Sequence, residues 1–279
     1  MSTGWRRLRM GLNTLSGRRR EGFFIPYRHA ATVPRPPDPA AQGYPAIARL
    51  FAAHETDFAA TLDLVDAHAD ALRRLGGPAP EPRWAQSWFP RLDGAAAYAL
   101  AASGRPARIV EVGSGHSTRF LARAARDAGH ATAIACIDPE PRAALPPGVA
   151  HLPEVLGAHH APLFAALRAG DMAVFDSSHI LHPHTDVDLI LNHILPELAP
   201  GVLVHFHDIF LPDPYPAEWT WRGYAEQNGL GGWLLGGGLR PALSSHYAIT
   251  RMDAAARPGL RGLALAAGAV EASLWCRKA

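Results

Sequence analysis

The chain has 279 residues, 48% of them hydrophobic, and a formal net charge of +2. That is enough apolar sequence for one large domain, alone or with a small attachment, and too little charge for a nucleic-acid footprint across the whole molecule. No apolar run reaches the ~18 to 20 residues of a membrane span and no signal-peptide pattern is present, so a cytoplasmic protein is expected.

In chain order, residues 1–21 carry Arg6, Arg7, Arg9, Arg18, Arg19 and Arg20 with no acid before Glu21. They read as a flexible basic tail without a hydrophobic period. Residues 22–104 read as an N-terminal arm and helical cap. Phe24, Tyr27 and Arg28 pack on the main domain or wall a substrate pocket. One helical period runs over 44–75 through Ile47, Leu50, Phe51, Phe58, Leu62 and Val65. Trp84 and Trp88, four apart, are core residues or a pocket wall, and an Ala-rich helix follows from Gly94 to Ala102.

Residues 105–279 read as one α/β domain. Arg108 to Val112 has the pattern of a buried parallel strand, Gly113 and Gly115 make a turn, and a helix starts at once, with Ser117 and Thr118 able to cap it. Strand, glycine turn and helix N-terminus together form a ligand cradle, in which glycine lets backbone approach a ligand closely. A dinucleotide site would want a third glycine where Thr118 stands, and the lysine of a phosphate loop is absent. Glu111 instead places a carboxylate inside the turn, able to hold an amino group or a water. Without a ligand the same stretch is a plain glycine-rich turn.

A second strand over Ala131 to Asp138 ends on a carboxylate suited to a pair of ribose hydroxyls, or to capping the backbone at Glu140. Further strands are expected near 149–152, 171–176, 202–207, 246–250 and 272–277. The glycine-rich run 229–238 is a poor helix. Cys136 and Cys276 lie in apolar runs and are expected as buried free thiols. At the ends of the fourth and fifth strands stand Asp176 and the pair His207 and Asp208, with His179 in the loop between. One imidazole and two carboxylates there are a candidate divalent-metal set. His205 is expected to be a core histidine.

The run Glu111, Gly113, Gly115 resembles the E-x-G-x-G motif of the class I S-adenosylmethionine-dependent methyltransferases. F-I-P-Y-R, W-F-P-R-L-D and H-F-H-D-I-F are similar to segments of bacterial members, so the resemblance covers most of the chain from Gly22. It implies a Rossmann-like α/β fold, a mostly parallel seven-stranded sheet with helices on both faces and an N-terminal helical cap. Glu111, Gly113, Ser114, Gly115, Ser117, Thr118, Asp138 and Asp176 would then hold S-adenosylmethionine. The strand ends also resemble the metal-dependent O-methyltransferases of catechols and macrolide sugars. Carried over by position, Asp176, His207 and Asp208 become metal ligands and His179 the base. Where those enzymes have an acid this chain has His207, which admits Mn²⁺, Fe²⁺ or Zn²⁺ beside Mg²⁺, or no metal. The reaction so implied is O-methylation of a small-molecule or sugar hydroxyl, with no nucleic-acid partner. A metal-free N- or O-methyltransferase and a non-catalytic nucleoside-binding protein are the alternatives.

Overall fold

The structure is a computed structural model that describes residues 3–33 and 43–279. The chain divides into two units, Met1–Pro37 and Asp38–Ala279.

The first unit departs from the expected tail. Thr3–Leu15 is an α-helix, on which Trp5, Leu8, Leu12 and Leu15 are spaced to form one apolar stripe. All four are exposed, and Arg6, Arg7 and Arg9 stand among them on the same helix. No residue over 4–33 is buried. The aromatic patch expected to be covered is exposed too, with Phe24, Ile25 and Tyr27 all more than half accessible.

In the second unit the single helical period over 44–75 folds as three pieces, Pro45–Ala53, Glu55–Ala67 and Ala69–Arg73. His54 and His68 interrupt it while the apolar face stays in register: Ile47, Phe51, Phe58, Leu62 and Val65 are all buried. Helix Arg91–Gly104 follows. Gly94 lets it pack closely on the next helix, since a Cβ there would lie 2.7 Å from the Phe120 ring.

The sheet has seven strands: β1 (Arg108–Val112), β2 (Ala133–Ile137), β3 (Ala150–Leu152), β4 (Met172–Phe175), β5 (Leu203–Phe206), β6 (Leu239–Ser244) and β7 (Leu274–Lys278). Their order is β3-β2-β1-β4-β5-β7-β6. β1 to β5 pair parallel, and β7 runs antiparallel to both β5 and β6. β1 and β4 are apolar and buried along nearly their whole length, as strands covered on both faces must be. The strand order reverses between β1 and β4, and an open α/β sheet binds its ligands at the carboxyl ends beside such a reversal. Cys136 and Cys276 are buried free thiols.

Two expectations fail in the last third of the chain. The sixth strand is Leu239–Ser244, and Ser245–Arg251, read as strand, is a helix. The Ser244 hydroxyl caps that helix by accepting the Tyr247 N–H at 3.2 Å. The glycine-rich run is also helical, over Glu226–Leu235. Gly229 is there for packing, because a Cβ would come within 2.4 Å of Leu191 Cδ1.

Candidate functional site

The cradle forms as expected at the end of β1, and one contact explains its first glycine. Gly113 has φ +75°, and a Cβ on it would sit 1.8 Å from the carbonyl oxygen of Asp176. The turn after β1 is thus pressed against the end of β4, and any side chain would force the two apart. Helix His116–Asp127 starts on the far side of the turn, with the Gly115 N–H donating to Thr118 Oγ1 at 3.0 Å.

Behind the turn, Glu111 is fully buried. It accepts hydrogen bonds from the Ser117 and Thr118 hydroxyls, each at 2.5 Å, and from the Cys136 thiol at 3.1 Å. Burial pushes its carboxyl up to about 7 despite those donors. Glu111, Ser117 and Thr118 therefore tie strand to helix instead of facing a ligand.

A cavity of about 310 Å³ opens in front of the turn, lined in part by Gly113, Ser114, Ile137, Asp138, Leu156 and Asp176. Four of the eight expected cofactor residues, Gly113, Ser114, Asp138 and Asp176, line it. Glu111, Gly115, Ser117 and Thr118 do not. Asp138 already works for the backbone: one oxygen accepts the Ser114 N–H at 2.6 Å and its hydroxyl at 2.8 Å, the other the Glu140 N–H at 2.8 Å. A carboxylate has about four acceptor sites, so capacity for a ribose remains. Ser177, Ser178, Arg142 and Val155 also line it; nothing in a single sequence marked them.

The strand ends bring the other expected residues together. His179 Nε2 lies 3.4 Å from Asp176 Oδ1 and 3.5 Å from Asp208 Oδ2. His207 Nδ1 lies 3.6 Å from Asp176 Oδ1 and 3.5 Å from Asp208 Oδ1. Each ring has a second carboxylate behind it. His179 Nδ1 donates to Glu226 at 2.8 Å, while His207 Nε2 faces Asp93 at 3.4 Å without a well-formed hydrogen bond. Asp93 in turn accepts the N–H groups of Ala272 and Ser273.

Sequence reasoning missed both backing carboxylates. Asp93 sits in W-F-P-R-L-D, far from the strand ends along the chain, and Glu226 opens the glycine-rich helix that was doubted. His179 and Asp208 hold left-handed backbone, φ 59° and 55°, which costs of order 1–3 kcal/mol each and collects at functional sites. The His179 carbonyl is pinned by the N–H groups of Ala225 and Glu226.

Burial opposes charge on Asp176, His179 and His207, yet for these three the neighbouring charges win. Asp176, between the two rings, is held well below the usual carboxylate range. Despite burial, His179 is held well above the usual imidazole range by Asp176, Glu226 and Asp208, and His207 likewise by Asp176 and Asp208. A ring held as imidazolium cannot accept a proton. The expected base is therefore blocked as long as the carboxylates have only the rings to neutralise them. His205, in contrast, is a core residue as expected: burial and the neighbouring His207 push it down to about 3, and its Nε2 meets Ser273 Oγ at 2.9 Å.

Among the described residues, the one trio whose ligand atoms all lie within 4.8 Å of one another is elsewhere, at Glu154, His159 and His160. His160 Nδ1 accepts the Gly157 N–H at 3.1 Å, so in the neutral ring Nε2 carries the proton and has no lone pair for an ion.

A second cavity of about 240 Å³ lies over the strand-end set. Its lining includes Asp176, His179, His207 and Asp208 together with Trp88, Trp219, Tyr224 and Arg222, and the Tyr224 ring packs on that of His179 at 4.6 Å. Of the expected tryptophan pair, Trp84 is core, packed on Phe120 at 4.9 Å, while Trp88 is a half-exposed wall stacked on His116. Asp176 and Arg142 line both cavities.

Residues 110–209, from within β1 to just beyond β5, match a family model described as a methyltransferase domain. Over that stretch the chain carries a methyltransferase domain. No curated protein matches the sequence. Among solved structures, the methyltransferase is similar to S-adenosylhomocysteine-bound PaMTH1 of Podospora anserina, at 16% identity over 92% of this chain and 99% of that one, with a TM-score of 0.43. It is also similar to cmcI-D160 with Mg and S-adenosylmethionine, at 14% identity over 75% and 84%, with a TM-score of 0.39. At such scores neither likeness bears on what this methyltransferase binds or modifies. Among the described residues no helix is long and apolar enough to cross a membrane.

Proposed function

We propose that this methyltransferase transfers the methyl group of S-adenosylmethionine to a hydroxyl of a small molecule. The observation that carries this is the pair of cavities sharing Asp176 and Arg142. A donor in the larger and an acceptor in the smaller would meet at one wall, as a single in-line displacement requires. Asp138 and Ser114 would hold the ribose end of the donor, and the Gly113 turn its chain.

The strand-end set fits a divalent ion. Two carboxylates and two imidazole nitrogens converge, and both rings are backed by carboxylates on their far nitrogens, the arrangement that orients metal-bound histidine. Asp176, His207 and Asp208 would hold the ion, which would lower the pKa of a bound hydroxyl. With positive charge among them, Asp176 and Asp208 no longer favour a proton on His179. Its Nε2 can then take the hydroxyl proton while Glu226 holds the ring.

The charges also support a metal-free reading. Two imidazolium rings and two carboxylates alternate and neutralise one another, leaving orientation alone to promote transfer. Mass-shift detection of methylated products, with and without chelator, separates the two readings, together with metal analysis of the purified protein. Under the metal reading, chelation abolishes transfer and leaves donor binding intact, and His179→Ala keeps the metal while slowing turnover by ~10² to 10⁴. Full activity in excess chelator and a metal-free protein would refute it. No heat with S-adenosylmethionine or its demethylated product on folded protein would refute the donor assignment.

A further inference from the structure

The acceptor cavity carries a cation that no described residue neutralises. Several other arginines of this chain are paired: Arg91 with Glu271, Arg123 with Glu81 and Asp127, Arg251 with Asp213, Arg257 with Asp63 and Asp66, while buried Arg119 donates to the Ala144 carbonyl at 2.9 Å. Arg222 is half-buried and makes no ion pair with any described residue. Its guanidinium lies 3.9 Å from the Trp219 ring centre and 5.4 Å from that of Tyr224. Nη1 reaches the Tyr224 hydroxyl at 3.3 Å, while Nε is buried with no hydrogen-bond partner. Stacking orients the guanidinium but leaves Nε unused, and a buried donor without a partner carries a desolvation penalty that a bound anion would remove.

Two further observations narrow the ligand. The cavity, at about 240 Å³, is below the ~300 to 1,000 Å³ typical of ligand pockets, which limits the acceptor to about one ring. Asp176 and Asp208 line the same cavity but are already paired with the His179 and His207 rings, which leaves Arg222 as a cation able to draw in an anionic group. Arg142 lines both cavities and so does not discriminate between donor and acceptor.

Resting on the proposed methyl transfer, we infer that the acceptor is a single-ring hydroxy acid whose anionic group is held by Arg222. A planar guanidinium suits a carboxylate best, through two parallel hydrogen bonds.

The test is calorimetry on full-length protein saturated with S-adenosylhomocysteine, titrated with 3- and 4-hydroxybenzoate and with the matching hydroxybenzamides. At least one acid is expected to bind tenfold or more tightly than its amide. Arg222→Gln should erase that preference while leaving S-adenosylhomocysteine affinity unchanged. Equal binding of acid and amide, binding of neither ring, or an unchanged preference in Arg222→Gln would each overturn the inference. Absence of S-adenosylhomocysteine binding would count against the donor assignment instead, and the acid–amide comparison on the protein alone would still decide the acceptor.

Discussion

Glu111 shows how a residue can be read correctly in type and wrongly in task. A carboxylate in a glycine turn suggests a ligand contact, but here both its oxygens are taken up by Ser117, Thr118 and Cys136. Its folded pKa of about 7 lies above the usual 4.5, so the folded state disfavours the charged form. That penalty is absent below about 4.5, grows as pH rises toward 7 and is constant above, reaching at most on the order of 3 kcal/mol. Glu111→Gln is therefore expected to melt higher relative to wild type at pH 8 than at pH 4. Equal melting shifts at both pH values would show that the carboxyl ionises freely in the fold. Gly113, Asp138 and Asp176 were legible because motif and strand end fix their place along the chain. Asp93, Arg222 and Glu226 were not, because each reaches the site from a segment whose position only the tertiary fold determines.

At the level of elements, the parallel half of the sheet was legible, since β2, β4 and β5 are short, largely apolar runs and the glycine turn marks the end of β1. The antiparallel end was misread for a physical reason. β6 contains Pro241, which argues against a strand within a sheet, but β6 is an edge strand paired only with β7, and the ladder shifts register between Pro241 and Leu243. The neighbouring H-Y-A-I-T has β propensity, yet the Ser244 cap turns it helical. Helix Glu226–Leu235 was doubted for its glycines, whose small size is what admits Leu191 and Leu181. Gly229→Ala is expected to lower stability by ~1 to 3 kcal/mol through overpacking, measurable by denaturant melts. Because Glu226 begins that helix and holds His179, turnover should fall with it. A variant of normal stability would mean that Leu191 simply moves aside.

For the whole molecule, the two units make different demands on the sequence. Residues 4–33 contain nothing buried, so they have no core whose loss could be felt. Deleting residues 1–20 is expected to leave the melting temperature within about 2 °C, the range of surface changes that cost ~0.5 kcal/mol or less. A larger drop, read by calorimetry, would mean that the stripe of Trp5, Leu8, Leu12 and Leu15 packs against something in solution. The second unit, with β4 at the centre of its sheet, carries both cavities, and they share Asp176 and Arg142. A partition that narrow makes the two chambers addressable by one molecule. An adenosine tethered by a few atoms to a hydroxylated ring would enter both at once, its second half binding at millimolar effective concentration without paying again for free diffusion. Such a bisubstrate compound should hold the protein far more tightly than either fragment, and a series of tether lengths, with its optimum, would act as a molecular ruler for the path of the methyl group.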